Sequence, residues 1–102
     1  MIIDSHIKGS DLNESLKNFW DLAKTKVEIL NKKYDASQGA PVFTINGEYT
    51  TRGWTEWTQG FQFGIPLLIA EATGDKDMLA LGKEKTVSNM AHHLSHFGVH
   101  DH

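Results

Sequence analysis

The sequence predicts an all-α chain with one small β-hairpin near residues 42–51. Three observations predict it. Apolar residues recur at steps of three and four through 11–34. A Gly-Asp pair at Gly74 and Asp75 divides two later stretches of similar spacing. Two β-prone runs, Val42-Phe43-Thr44-Ile45 and Glu48-Tyr49-Thr50-Thr51, flank Asn46-Gly47. At 102 residues the chain suits a single unit.

The first helix is expected over 11–34. Asp11 and Glu14 have capping-box spacing, with Ser10 as a rival cap. Leu12, Leu16, Phe19, Trp20, Ala23, Val27, Leu30 and Tyr34 form its apolar stripe, widened by Leu22 and Ile29. Asn13, Lys17, Asp21, Lys24 and Glu28 fall on a wet face. A loop composition follows from Ala36 to Pro41, and then the hairpin. Asn-Gly suits a two-residue turn because both residues accept positive φ. So short a hairpin must pack on the helices to persist.

The second helix is expected over 58–73, with Gly74 just past its end. Phe61, Ile65, Leu68, Ile69 and Ala72 share a face. Pro66 lies inside the stretch, which predicts a kink or a start delayed to about Ile65. Gly60 and Gly64 lack side chains and admit close approach of a backbone or a ligand. Asp75 caps the third helix, so Gly74-Asp75 is both stop and start of a tight helical hairpin. Met78, Leu79, Gly82, Thr86, Met90, Ala91, Leu94 and Phe97 give this helix its apolar or small face, and Gly98 ends it.

Composition excludes several classes. Ten Lys+Arg against thirteen Asp+Glu give a formal charge of −3, and Arg52 is the one arginine, which disfavours nucleic acid as a partner. With no Cys there is no disulfide scaffold, thiolate zinc site or cysteine nucleophile. The apolar run 61–70 falls short of the ~20 residues that cross a bilayer, so no membrane is expected. Met-Ile-Ile-Asp-Ser-His carries neither a basic leader nor an apolar signal core, so the expected compartment is the cytoplasm. Phosphate-loop, dinucleotide and Gly-x-Ser-x-Gly motifs are absent.

Two groups of residues could carry chemistry. His92 and His96 lie four apart on one helix face, and His100, Asp101 or His102 could complete a zinc shell. Against this, His93 stands where a His-Glu-x-x-His helix has its general base, and histidines at a helix C-terminus also serve as plain cations against the dipole. The expectation is therefore no metal, with His92, His96 and His100 as the alternative. The second group is aromatic: Trp54, Trp57, Phe61 and Phe63, with Tyr49 nearby. Such rings stack on sugars or simply fill a core. Glu48, Glu56 and Asp101 are the acids expected nearest a cleft, at separations that spacing alone does not give.

Trp57-Thr58-Gln59-Gly60-Phe61, then Gly64, then Glu71-Ala72-Thr73-Gly74-Asp75, and finally His100-Asp101 stand in an order that resembles the first part of the unsaturated glucuronyl hydrolases. These form glycoside hydrolase family 88 and are similar to the unsaturated rhamnogalacturonyl hydrolases of family 105. The resemblance covers about the last half of the chain, and the first helix fits by position only. It implies the opening helical hairpins of an (α/α)6 toroid. It also implies hydration of the C4=C5 double bond of a terminal unsaturated uronic acid, without a cofactor.

On that resemblance Asp101 is an acid supporting a catalytic Asp on a later segment, Trp57 is a stacking wall, and Phe61 and His100 are further substrate contacts. The partner it implies is an oligosaccharide ending in an unsaturated uronic acid. Gln62-Phe63-Gly64-Ile65-Pro66 departs from the more aromatic run usual in the family. A complete toroid of twelve helices needs on the order of 300–400 residues. The chain is therefore expected to be an incomplete part of a larger domain, inactive alone, that associates with the remainder or with itself. The alternatives are a small non-catalytic helical protein that binds a partner or self-assembles, and a His-rich metal-binding helical module.

Overall fold

The computed structural model describes residues 1–35, 39–52 and 58–90. In chain order they form a 3-10 turn at Gly9–Leu12, helix α1 at Asn13–Lys33, strands β1 at Ala40–Ile45 and β2 at Glu48–Arg52, helix α2 at Thr58–Thr73 and helix α3 at Lys76–Asn89. This is the expected all-α chain with a small hairpin.

Asp11 caps a different element from the one expected. Its carboxylate accepts the Lys8 N–H at 2.8 Å and closes the 3-10 turn, and α1 begins two residues later. A carboxylate three residues past a free N–H satisfies it in either kind of turn, so spacing alone does not separate them. The hairpin forms around Asn46 and Gly47, at φ of 51° and 77°, as the Asn-Gly pair requires. A bulge between Pro41 and Phe43 shifts the register; Pro41 has no N–H to give the ladder. Tyr34 fastens this hairpin to α1. Its ring meets Tyr49 edge to face at 6.0 Å, and its hydroxyl accepts the Tyr49 N–H at 3.2 Å. Lys33 pairs with Glu48 beside them.

Helix α2 starts at Thr58 and runs through Pro66, so the delayed start is corrected. The ring of Pro66 is buried rather than presented to solvent. The buried face also differs from the one expected. Gln59, Phe63, Pro66, Ile69 and Ala70 turn inward, whereas Phe61, Ile65 and Leu68 are 63%, 41% and 55% exposed. Helix α2 is apolar on two sides, and periodicity cannot say which side the neighbours take. The core is small: Val27 of α1, Ile69 and Ala70 of α2 and Met78 of α3, with Trp20, Ala23 and Leu81 packed against it.

The α2–α3 junction follows the Gly-Asp reading. Gly74 has φ of 74°, and the Asp75 carboxylate accepts the N–H groups of Asp77 and Met78, each at 3.0 Å. Spacing did not reveal that Lys24, assigned to the wet face of α1, reaches the same carboxylate at 2.5 Å. This contact spans 51 residues of sequence and ties α1 to the hairpin.

The Lys24 ammonium and the two N–H donors hold the Asp75 carboxyl below the ordinary carboxylate range, and Asp75 in turn raises Lys24. A lowered carboxyl pKa stabilises the fold above the unfolded value of about 4 and loses that contribution as pH falls through the folded value. A raised lysine stabilises below about pH 10 and loses its part as pH climbs through the folded value. Asp75→Asn is therefore expected to lower the neutral urea midpoint and flatten the acid limb of the stability–pH curve. An unchanged acid limb would mean that Asp75 is not linked to folding.

Gly60 and Gly64 border open space, so neither admits a close backbone in this structure. The close approach falls at Gly82, where an added Cβ would sit 2.6 Å from Leu67 Cδ2 and 3.2 Å from the Leu67 backbone nitrogen. Among the described residues no helix is long and apolar enough to cross a membrane.

Candidate functional site

Of the residues singled out in the sequence, Phe61 lies within the described residues. It stands on the first turn of α2 with its ring turned outward. Trp57, His100 and Asp101, and the alternative metal set His92, His96 and His100, lie outside the described residues, as do Trp54 and Glu56. Among the described residues no group of three or more His, Asp and Glu side chains converges as a metal site. Phe63, named in the aromatic group, is 6% exposed and serves the α2 packing.

Two features stand out near the start of α2. The first is polar. Thr58 Oγ1, both amide atoms of Gln59 and Gln62 Oε1 are buried and have no hydrogen-bond partner among the described residues. Gln59 is 1% exposed. A buried amide without partners costs about 1–3 kcal/mol per group, so this turn is under demand for donors and acceptors. These residues directly follow Trp57 in the run Trp57-Thr58-Gln59-Gly60-Phe61. The sequence placed Gln59 in that run and Gln62 in the departure from the family pattern, and its spacing gave no sign that their amides would be buried.

The second feature is a shallow notch of about 50 Å³, open to solvent, where α1, α2 and α3 meet. Its walls include Val27, Leu30, Phe63, Pro66 and Leu81, and its polar edge holds Asn31, Tyr34, Gln62 and Lys85. Tyr34 and Leu30 are the last apolar positions of the α1 stripe, and Pro66 leaves a shallow wall where a longer side chain would stand. Ligand pockets run to several hundred Å³, so this notch has room for a few waters rather than a small molecule. The sequence held no sign of it, since its lining comes from three elements up to 58 positions apart, Val27 to Lys85.

No family model, no curated protein and no solved structure matches this chain.

Proposed function

We propose that the chain is the amino-terminal portion of a cytoplasmic glycosidase that hydrates the C4=C5 bond of unsaturated uronic-acid oligosaccharides. What supports this reading is the double-faced α2. One apolar stripe is covered by α1 and α3, and Leu68 stands on the outward side with more than half of its surface exposed. A helix in a ring of hairpins needs neighbours on more than one side, which a lone three-helix unit does not supply. The Gly74-Asp75 stop and start gives the hairpin itself. In the proposed reaction a proton goes to C4 and the hydroxyl of water to C5. The resulting hemiketal opens and releases the rest of the sugar. Asp101 supports the proton-transferring Asp, and Trp57 and Phe61 offer flat apolar surface to the ring.

The test uses the protein with its coding sequence followed past His102. That form should bleach the ultraviolet absorbance of the conjugated enol ether in unsaturated glucuronyl or rhamnogalacturonyl disaccharides, and the 102-residue chain should leave it unchanged. Bleaching by the short chain would overturn the fragment reading. A long form inert on both disaccharides would overturn the glycosidase reading.

A second reading, a helical association module without chemistry, is favoured by α1. Phe19, Leu22 and Ile29 are each more than half exposed and lie along one flank of the helix, away from Val27. Exposed apolar stripes of this kind mark interfaces. The chain is expected to scatter light as a dimer or larger species at high concentration, and Leu22→Lys with Ile29→Lys should return it to monomer. A monomer at every concentration removes this reading.

A further inference from the structure

Helix α1 carries a second seam beside its core face. Leu12, Ser15, Phe19, Leu22, Lys26 and Ile29 follow one another at alternating steps of three and four. That is the repeat of about 3.5 residues by which two helices pair as a coiled coil. All of these residues are exposed, and the four apolar ones keep about half of their surface in solvent. Val27, Trp20 and Ala23 belong to the core, so the seam runs along the flank that α2 and α3 leave uncovered. Phe19, the largest side chain of the seam, meets Trp20 edge to face at 4.9 Å, which positions its ring before anything docks on it. Lys24 and Lys33 are paired with Asp75 and Glu48, whereas Lys26 and Lys32 make no ion pair among the described residues.

We propose that a second copy of this chain covers the seam, the two α1 helices pairing antiparallel about a two-fold axis between Phe19 and Leu22. The proposal deepens the association reading and rests on it. What selects this partner and this register is that the seam is self-complementary when reversed. Leu12 then meets the partner's Ile29, Phe19 meets the partner's Leu22, and Ser15 meets the partner's Lys26. Each contact occurs twice, as a two-fold interface requires. Apolar residues face apolar ones, and the one cation of the seam faces a hydroxyl. At the edge, Asp11 comes opposite the partner's Lys32, so the charges also match. A parallel pair in register would set Lys26 against the partner's Lys26, and a polar residue at such a position fixes register by what it excludes. Sliding the antiparallel pair by one heptad is also worse, since it puts Leu22 on the partner's Lys26 or Ser15 on the partner's Phe19.

The chain has no Cys, so introduced thiols report the register without background. Ser15→Cys and Lys26→Cys alter exposed positions, so neither burdens the fold. Mixed and oxidised, the two variants should form a disulfide with each other and not with themselves. In the proposed register the two copies of position 15 stand roughly 16 Å apart along the axis, beyond the ~7 Å that a disulfide spans. Sedimentation of the 102-residue chain gives a second measure. Ser15→Lys sets two cations against each other at both ends and should weaken the dimer about three- to tenfold. Adding Lys26→Glu turns both contacts into ion pairs and should restore it, whereas in a parallel pair the double change would weaken it further. Disulfides joining 15 to 15 and 26 to 26 would overturn the antiparallel register and leave the association reading standing. A dimer indifferent to both Ser15→Lys and Leu22→Lys would place the contact on another face and overturn the proposal. A monomer at every concentration would overturn the association reading and the proposal with it. A form extended past His102 that leaves the same thiols unlinked would mean that its own chain covers the seam, which also overturns the proposal.

Discussion

Gly82→Val should cost about 2–3 kcal/mol of folding stability, read as a lower urea midpoint with little change in slope. The Cβ of any residue at 82 would stand 2.6 and 2.7 Å from Leu67 Cδ2 and Cγ and 3.2 Å from the Leu67 nitrogen. The side chain of Leu67 can turn away, but its backbone cannot move without shifting α2. Valine adds two methyl groups to that contact, and its χ1 is restricted in a helix. A better helix propensity than glycine returns less than 1 kcal/mol. Alanine at the same place sets a smaller steric cost against a gain of about 1 kcal/mol, so Gly82→Ala should lie well above Gly82→Val in stability. The loss is large for this protein because its core is small and α2 meets α3 along that line. Adding Leu67→Ala to Gly82→Val should recover part of the loss, a non-additivity that distant sites do not show. A Gly82→Val chain as stable as the parent would mean that α2 and α3 do not approach as the structure has them.

On the proposed glycosidase reading, Asp101→Asn in a form extended past His102 should lower turnover of unsaturated disaccharides by ~10²–10⁴, the usual loss when acid–base catalysis is disabled. Hydration of an enol ether needs an acid near neutrality to protonate carbon and a base to activate water. One Asp can serve both steps if a neighbouring carboxylate raises its pKa, since two close negative charges disfavour each other. The amide keeps the shape of Asp101 and deletes its charge. The pH–rate profile of Asp101→Asn should therefore lose its alkaline shoulder as the partner Asp returns toward an ordinary value. A merely structural role would lower the amount of folded enzyme and leave that profile in place. Trp57→Ala should raise KM with a smaller effect on kcat. Full activity and an unchanged profile in Asp101→Asn would remove Asp101 from the site.

Local chemistry carried much of the architecture. Asn46-Gly47 takes positive φ at both positions because that turn demands it and few residue pairs allow it. Gly74-Asp75 ends one helix and caps the next because a left-handed glycine and an acceptor side chain are needed at adjacent places. Such signals act over two to four residues, so they are legible before anything packs. Asp11 shows the margin of error: the same capping chemistry operates one element earlier than its spacing suggested.

Faces were a different matter. Helix α2 has apolar residues on two sides, and the burial of Phe63 and Pro66 rather than Phe61 and Ile65 follows from where α1 and α3 lie. The glycine that packs closely is Gly82, not Gly60 or Gly64, because close approach depends on the partner helix and not on the glycine. Lys24 left the wet face to meet Asp75 across 51 residues. The notch that sets Lys85 beside Leu30 and Phe63 likewise arises only when three helices converge. The sequence by itself determined the order of helices and hairpin, the Asn46-Gly47 turn and the Gly74-Asp75 junction, because each is set by the backbone preferences of a few neighbouring residues. Which apolar stripe is covered, which glycine is crowded and where a cavity remains were decided by the tertiary structure alone, because burial is a property of pairs of elements.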